Sequence, residues 1–382
     1  MAERRKIALI YQYNENWIGG TYYIENLVLA LRRLEESEQP ILYVFTESVD
    51  EFEKLKRKTD YKYLFSKPYF ISLSLLQRAI NKITGSLFNR AVFSAHHKNI
   101  DLIFPADYNH RFIPGAEYLY WIPDFQEHYL PDFFSTDEIA LRKAGQHSIV
   151  SNGKYIVFSS QAAKRHFNQI YAGVTIQQFV LPFAVSHQPA KANENIKLKY
   201  KIPDEFFICS NQFWIHKNHK AVIHAIAALK NEGVNVSVVF TGKENDFRHP
   251  EYFDELRLLI MQEGVIDNCI FLGFIDRADQ LAIMQLSKAV IQPSLFEGWS
   301  TVIEDAKSLG VFIIASRIDV HKEQLQKYES KLLFDATDSK QLADCMKRDC
   351  DKTNSQPYEY SKDVALFGTT FNHILEEILS NK

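Results

Sequence analysis

Residues 288–317 read KAVIQPSLFEGWSTVIEDAKSLGVFIIASR. An apolar run, KAVIQPS, is followed by a short polar loop. Ser300 and Thr301 are good helix N-caps, and Gly310 sits where a helix C-terminus favours glycine. A second apolar run, VFIIASR, comes next. Two short apolar runs joined by a helix form the repeating unit of a parallel sheet. The loop at 293–300 therefore leaves the carboxyl end of a strand, where open parallel sheets bind their ligands.

Working outward, the same alternation recurs. Upstream lie strand FFICSNQF, helix HKAVIHAIAALKNEG, strand NVSVVFTG, helix PEYFDELRLLIMQEGV, strand CIFLGFI and helix RADQLAIMQLS. The N-terminal half has strands KIALIYQY, PILYVFTE, KNIDLIFPA, EYLYWIPD and GKYIVFSS, with helix TYYIENLVLALRRLEE after the first. Between the halves, SHQPAKANENIKLKYKIPDE is polar, has two prolines and shows no periodicity, so it reads as a linker. A chain of 382 residues exceeds the roughly 250–300 that one core usually serves. The expected fold class is α/β, with two doubly wound Rossmann-like domains facing a central cleft. The first domain is expected over 1–185, a linker over 186–202 and the second domain over 203–360. A closing helix over 361–382 is a candidate to pack back on the first domain.

A formal charge of −3 argues against a nucleic-acid partner. Cys209, Cys269, Cys345 and Cys350 lack metal-site spacing and read as buried reduced thiols, which fits a cytoplasmic home. The N-terminal apolar run is too short for a signal peptide, and no stretch approaches the ~18 apolar residues of a membrane span. Residues 73–99 mix apolar and basic residues at helical spacing, a candidate contact with a membrane surface or lipid-linked acceptor.

The loop's chemistry follows from its spacing. Glu297 lies in the loop, and Gly298 permits close approach of a ligand to the backbone. The amides from Trp299 to Val302 open a helix, a ready anion site. Asp305 lies four residues beyond Thr301, on roughly the same side of that helix. A phosphate on the amides would lie between two acids, each able to accept from hydroxyls. That suits a nucleoside diphosphate sugar; the plainer reading is that Glu304 and Asp305 complement the helix dipole.

The stretch resembles the acid-x7-acid signature of the retaining GT-B glycosyltransferases of family 4, also called group 1. Here it stands as Glu297-Gly298-Trp299-Ser300-Thr301 with Asp305-Ala306 at the second acid, where the family has Glu-Gly-Phe-Gly-Leu and Glu-Ala. Glu304 is the alternative second acid, out of register by one. The resemblance implies that Glu297 holds the donor sugar's hydroxyls and Asp305 the ribose. The diphosphate is then met by Lys217, in SNQFWIHKNH, and by the amides of Ser300, Thr301 and Val302. The family's arginine five residues before that lysine is Gln212 here, and His216 and Arg248 are the candidates to replace its charge.

Gly19 and Gly20 correspond to a glycine-rich loop near the donor. Gly242, Ser294 and Phe274 border the donor site, the last in a segment whose backbone reads the base. Asp124, in YWIPDFQEHYLPDFFS, is the first-domain residue facing the transferred sugar, with Gln126, Glu127 and His128 as lesser candidates. The catalytic set is thus Glu297, Asp124 and Lys217.

No cofactor and no bound metal are expected, and His321 and Glu323 match no standard metal spacing. The donor is a co-substrate, UDP- or GDP-linked. The other expected partner is a glycan or lipid-linked acceptor in bacterial polysaccharide or glycoconjugate synthesis, at the cytoplasmic side of a membrane. A nucleotide-sugar 2-epimerase on the same fold and a non-catalytic nucleotide-sugar-binding scaffold are the alternatives.

Overall fold

The computed structural model describes residues 4–13, 18–46, 48–68, 74–88, 97, 99–106, 113–187, 195–348 and 358–380. Seven strands build the first sheet: β1 (Lys6–Ile10), β2 (Ile41–Phe45), β3 (Leu64–Lys67), β4 (Leu102–Ala106), β5 (Glu117–Ile122), β6 (Tyr155–Phe158) and β7 (Gln177–Val180). Their order is β3-β2-β1-β4-β5-β6-β7. Six more build the second: β8 (Phe207–Ser210), β9 (Val238–Thr241), β10 (Cys269–Phe271), β11 (Val290–Gln292), β12 (Ile313–Ser316) and β13 (Lys331–Phe334). Their order is β10-β9-β8-β11-β12-β13. Neighbours pair in parallel throughout both sheets.

Strands covered on both faces read as continuous apolar runs. β8, β9 and β12 are buried at every residue. β3, β7 and β13 escape the sequence reading for the converse reason. Each is a sheet edge, and LFSK, QQFV and KLLF carry polar or half-exposed positions.

Strand order reverses between β1 and β4 in one sheet and between β8 and β11 in the other. The loops after β1, β8 and β11 are therefore the ones expected to hold a ligand.

The closing helix, Ser361–Ser380, packs on the first domain. Its Phe367, Phe371 and Leu375 join the core of Leu9, Tyr23 and Phe104. Gly368 allows this contact, because a Cβ there would lie 2.7 Å from the Ala30 carbonyl oxygen. The expected linker is shorter than its composition suggests. Residues Asn195–Tyr200 are helical, and Ile196 and Ile202 are buried with Met284 in the second domain. Residues 188–194 of that stretch lie outside the described residues.

The amphipathic stretch at 73–99 contains the helix Leu75–Phe88, with Leu76, Arg78 and Lys82 exposed; 89–96 and 98 lie outside the described residues. No described helix is long and apolar enough to cross a membrane. Cys209 and Cys345 are buried free thiols, Cys269 is only half-buried, and Cys350 lies outside the described residues.

Candidate active site

A cavity of about 520 Å³ lies between the two domains; the catalytic and donor-binding candidates other than Ser294 line it, and the alternative second acid Glu304 does not. Ser294 stands just behind, in contact with Glu297. Glu297 Oε1 accepts from Gln292 Nε2, at the end of β11, at 2.9 Å, from Ser294 Oγ at 2.7 Å and from Lys217 Nζ at 2.6 Å. All three bonds fall on one oxygen, so Oε2 is left for the cavity. Burial alone would push the Glu297 carboxyl up, but the Lys217 ammonium and these bonds hold it below its ordinary value.

Lys217 closes a short turn, Ile215–Lys217, after β8. Asn218 follows in a left-handed conformation, φ 58°, and its side-chain Nδ2 donates to the Pro293 carbonyl at 3.1 Å. The two catalytic loops are thus tied together. His216 cannot supply the charge missing at Gln212. It is buried, and burial together with Lys217 drives its imidazole well below its ordinary value, so it is neutral. Arg248, the other candidate, does line the cavity. Gly242 is required by geometry: its φ is +149°, and a Cβ would lie 2.0 Å from the Asn211 carbonyl oxygen. Phe274 is 58% exposed, so its side chain stands at the cavity edge rather than in a strand core.

The structure adds a domain contact at two candidates and departs from the expectation at Ser300, Gly19 and Gly20. Gly298 brings the backbone close to the other domain, since a Cβ there would lie 2.5 Å from the Pro123 carbonyl oxygen and 3.0 Å from Asp124 Cβ. Trp299 likewise serves the domain contact; its indole nitrogen donates to the Phe183 carbonyl at 2.9 Å. The Ser300 amide is already taken, by Gln324 Oε1 at 3.0 Å, because Gln324 bridges the helix start to Glu304. Thr301 and Val302 keep their amides beside the cavity. Gly19 and Gly20 belong to the first turn of the helix Ile18–Leu31 rather than to a loop. A Cβ on Gly19 would lie 3.9 Å from Thr301 Oγ1, so the two helix starts meet across the cleft.

Asp305 and Glu304 diverge. Asp305 Oδ1 accepts from His187 Nε2 at 2.7 Å and from Arg277 Nη2 at 2.5 Å. Burial opposes its ionisation, but Arg277 and His187 outweigh it and hold the carboxyl below its ordinary value. Its Oδ2 is buried with no hydrogen-bond partner among the described residues. Glu304 instead turns into a sealed network with Lys307 (3.2 Å), Gln324 (3.0 Å) and Tyr360 (2.7 Å), and burial raises its carboxyl.

In the first domain, burial raises the Asp124 carboxyl against the pull of Arg142. Gln126 lines the cavity. Glu127 is buried against Gln146 and Arg142, and His128 is exposed, so neither faces the cavity. His321 and Glu323 do not converge on a metal site. His321 is buried with Nδ1 2.9 Å from the Ser316 carbonyl, and Glu323 caps the helix Gln161–Ile170 of the other domain through the Gln161 and Ala162 amides. The sequence reading missed Arg277, His187, Arg142 and Gln292. Arg277, His187 and Arg142 are distant along the chain from the residues they support or face, whereas Gln292 stands five residues before Glu297, at the end of β11, where it reads as part of the strand.

A family model described as Glycosyl transferases group 1 matches residues 192–360. The serotype-specific mannosyltransferase WbdA of Escherichia coli is 31% identical over 138 residues, 36% of this chain but only 16% of that relative's length. Among solved structures, Anabaena Alr3699/HepE in complex with UDP and glucose has a TM-score of 0.67 at 18% identity, covering 99% of this chain and 100% of that one. WaaG, a glycosyltransferase involved in lipopolysaccharide biosynthesis, has a TM-score of 0.59 at 11% identity, covering 98% of each chain. At such identities the structural likeness speaks for the fold. Residues 192–360 thus resemble the glycosyl transferases group 1 family, and the chain has the two-domain GT-B fold.

Proposed function

We propose that this protein is a retaining glycosyltransferase that moves a sugar from a nucleotide diphosphate donor to an acceptor hydroxyl. The carrying observation is Asp305. A buried, ionised carboxylate has one oxygen held by the Arg277 guanidinium and the His187 imidazole and the other without a partner among the described residues, beside the cavity. A buried acceptor left without a donor is costly, and a ribose hydroxyl supplies the missing donor. From that anchor, the diphosphate reaches the Thr301 and Val302 amides and Lys217, and the sugar reaches Glu297 Oε2 and Asp124. Lys217 already bonds Glu297, yet an ammonium has three donors and can serve both.

In the reaction the bond from the anomeric carbon to the diphosphate oxygen breaks. The acceptor oxygen bonds that carbon on the same face, and its proton leaves with the diphosphate. Lys217 and the helix-start amides stabilise the charge that develops on the leaving group. Asp124, from the first domain, orients the sugar against Glu297, and contact between the domains excludes water. The likeness to the mannosyltransferase WbdA and to WaaG, a glycosyltransferase involved in lipopolysaccharide biosynthesis, and the UDP bound to HepE support a nucleotide-sugar donor and an acceptor in bacterial surface-glycan assembly.

The test is a thermal-shift screen against UDP, GDP, ADP and CMP. A ligand of the folded state adds about 2.7 kcal/mol at 100 times its Kd. One diphosphate is expected to raise Tm, with the shift lost in Asp305→Ala and Lys217→Ala. A transfer assay with the matching sugars, read by NMR at the anomeric carbon, then checks retention. No shift with any nucleotide, or an inverted product, overturns the reading.

A further inference from the structure

Among the described residues, four lysine and arginine side chains line the cavity: Arg142, Lys217, Arg248 and Arg277. They differ in what holds them. Lys217 and Arg277 bond Glu297 and Asp305, carboxylates that themselves line the cavity. Arg142 and Arg248 bond Glu127 and Glu138, at 3.3 and 3.1 Å, and neither of those carboxylates lines it. Each arginine spends one N–H on its partner, out of the five a guanidinium carries. The charge of each is met from outside the cavity lining, and the remaining N–H donors can serve a ligand in the cavity.

These two arginines come from opposite domains and converge on one ring. Arg248 lies 4.3 Å and Arg142 5.0 Å from the Phe134 centroid. Phe247 and Trp214 also flank Arg248, at 4.9 and 5.6 Å. Aromatic faces fix the plane of a guanidinium without consuming its donors. The Arg248 side chain is only 11% exposed, so little water competes for those donors. A planar, held, partly desolvated fork of this kind matches phosphate oxygens.

We infer that Arg142 and Arg248, one from each domain, form a phosphate-binding subsite across the cleft. Two sources fit this chemistry, the donor's own diphosphate and a phosphate carried by the acceptor. The proposed donor site bears only on which source applies. Because the two arginines belong to different domains, an occupied subsite also holds the domains together.

The test is calorimetric titration of the full chain with inorganic phosphate, and separately with UDP and GDP, at low salt. Arg142→Gln and Arg248→Gln are each expected to weaken phosphate binding about tenfold or more. Arg248→Lys restores part of it, as a point charge replaces a fork. Glu138→Gln is the deciding variant. It frees Arg248 from a competing carboxylate, so phosphate binding tightens while Arg248→Gln weakens it.

A merely structural ion pair predicts something else. Both variants would lower Tm together and leave phosphate affinity unchanged, which sinks the subsite. Nucleoside diphosphate affinity that falls in step with phosphate affinity assigns the donor as the source. Unchanged nucleotide affinity with lost phosphate binding assigns the acceptor. If phosphate binds as expected but no nucleotide binds, the subsite stands and the donor reading fails. If nucleotides bind and neither arginine variant alters any affinity, the donor reading stands and the subsite falls.

Discussion

Glu297 pairs with Lys217 at 2.6 Å, and Glu304 pairs with Lys307 at 3.2 Å. The acids are seven positions apart in one loop and helix, and both are largely withdrawn from solvent. Their surroundings differ. The first pair forms one wall of the cavity and gathers its bonds on one carboxylate oxygen. The second lies beneath Tyr360 and Gln324, with Asp363 as a further partner of Lys307 at 3.1 Å. Burial opposes ionisation in both. At Glu297 the cation and hydrogen bonds win, and at Glu304 burial wins. The same residue type, twice withdrawn from bulk solvent, thus yields one carboxylate poised for a ligand and one that staples the closing helix to the second domain.

The largest expected effect falls on the sealed pair. Glu304→Ala leaves Lys307 with a buried partner missing and strips Tyr360 and Gln324 of an acceptor. Breaking a buried pair from one side costs about 3–5 kcal/mol, and the remaining Lys307–Asp363 contact places this case at the lower end. The denaturant midpoint should fall accordingly, while kcat of the folded fraction stays within about twofold. A collapse of kcat at unchanged stability would reverse the roles assigned to the two pairs.

Next in size is Glu297→Gln. The amide keeps the shape but removes the negative charge that faces the transferred sugar. Loss of one group aimed at developing charge costs about 10²–10³ in kcat, about 2.7–4 kcal/mol of barrier. Tm should move little, because Lys217, Gln292 and Ser294 still meet a polar group. Steady-state rates at saturating donor check this, and a wild-type rate would remove Glu297 from the catalytic set.

These differences show what could be read from the chain beforehand. Both acids were visible in residues 288–317, and the apolar runs of β1, β2, β4, β5, β6 and β8 to β12 marked the two sheets. Burial on both faces leaves a continuous apolar record, which edge strands such as β3 and β7 need not carry. The helix at Ile18 starts earlier than TYYIENL suggests because two glycines, poor helix formers, occupy its first turn. Glu304 and Asp305 could be ranked only by register. Their partners, Tyr360 and Gln324 for one and His187 and Arg277 for the other, are brought in by the fold from distant segments. The same holds for Trp299, whose hydrogen bond to Phe183 spans the domains.

The pH dependence of stability should separate the pairs by sign. The Glu297 carboxyl is held below its ordinary value, so its contribution is full above that value and is lost as pH falls through the depressed one. The Glu304 carboxyl is held above its ordinary value, so its contribution is full below that value and is lost as pH rises through the elevated one. Relative to the parent, Glu297→Gln should therefore lose Tm as pH climbs toward the ordinary carboxyl value, and Glu304→Gln should gain Tm as pH rises above it. Parallel curves for the two variants would mean that both acids sit in equivalent settings.

The smallest effect is the coupling between the pairs. Gln324 bonds Glu304 and also both the amide and the carbonyl of Ser300, so a physical path runs from the sealed pair to the start of the cavity helix. That path stops at the backbone. Glu297 takes its bonds from Lys217, Gln292 and Ser294, none of which touches Glu304. Sites without shared partners add within about 0.3–0.5 kcal/mol. A double-mutant cycle of Glu297→Gln with Glu304→Gln, read by denaturation, should fall inside that range. A coupling above about 1 kcal/mol would mean that Ser300 transmits strain between the two networks. The closing helix would then reach the catalytic carboxylate through Gln324, and the contrast between a poised acid and a structural one would become a single linked device.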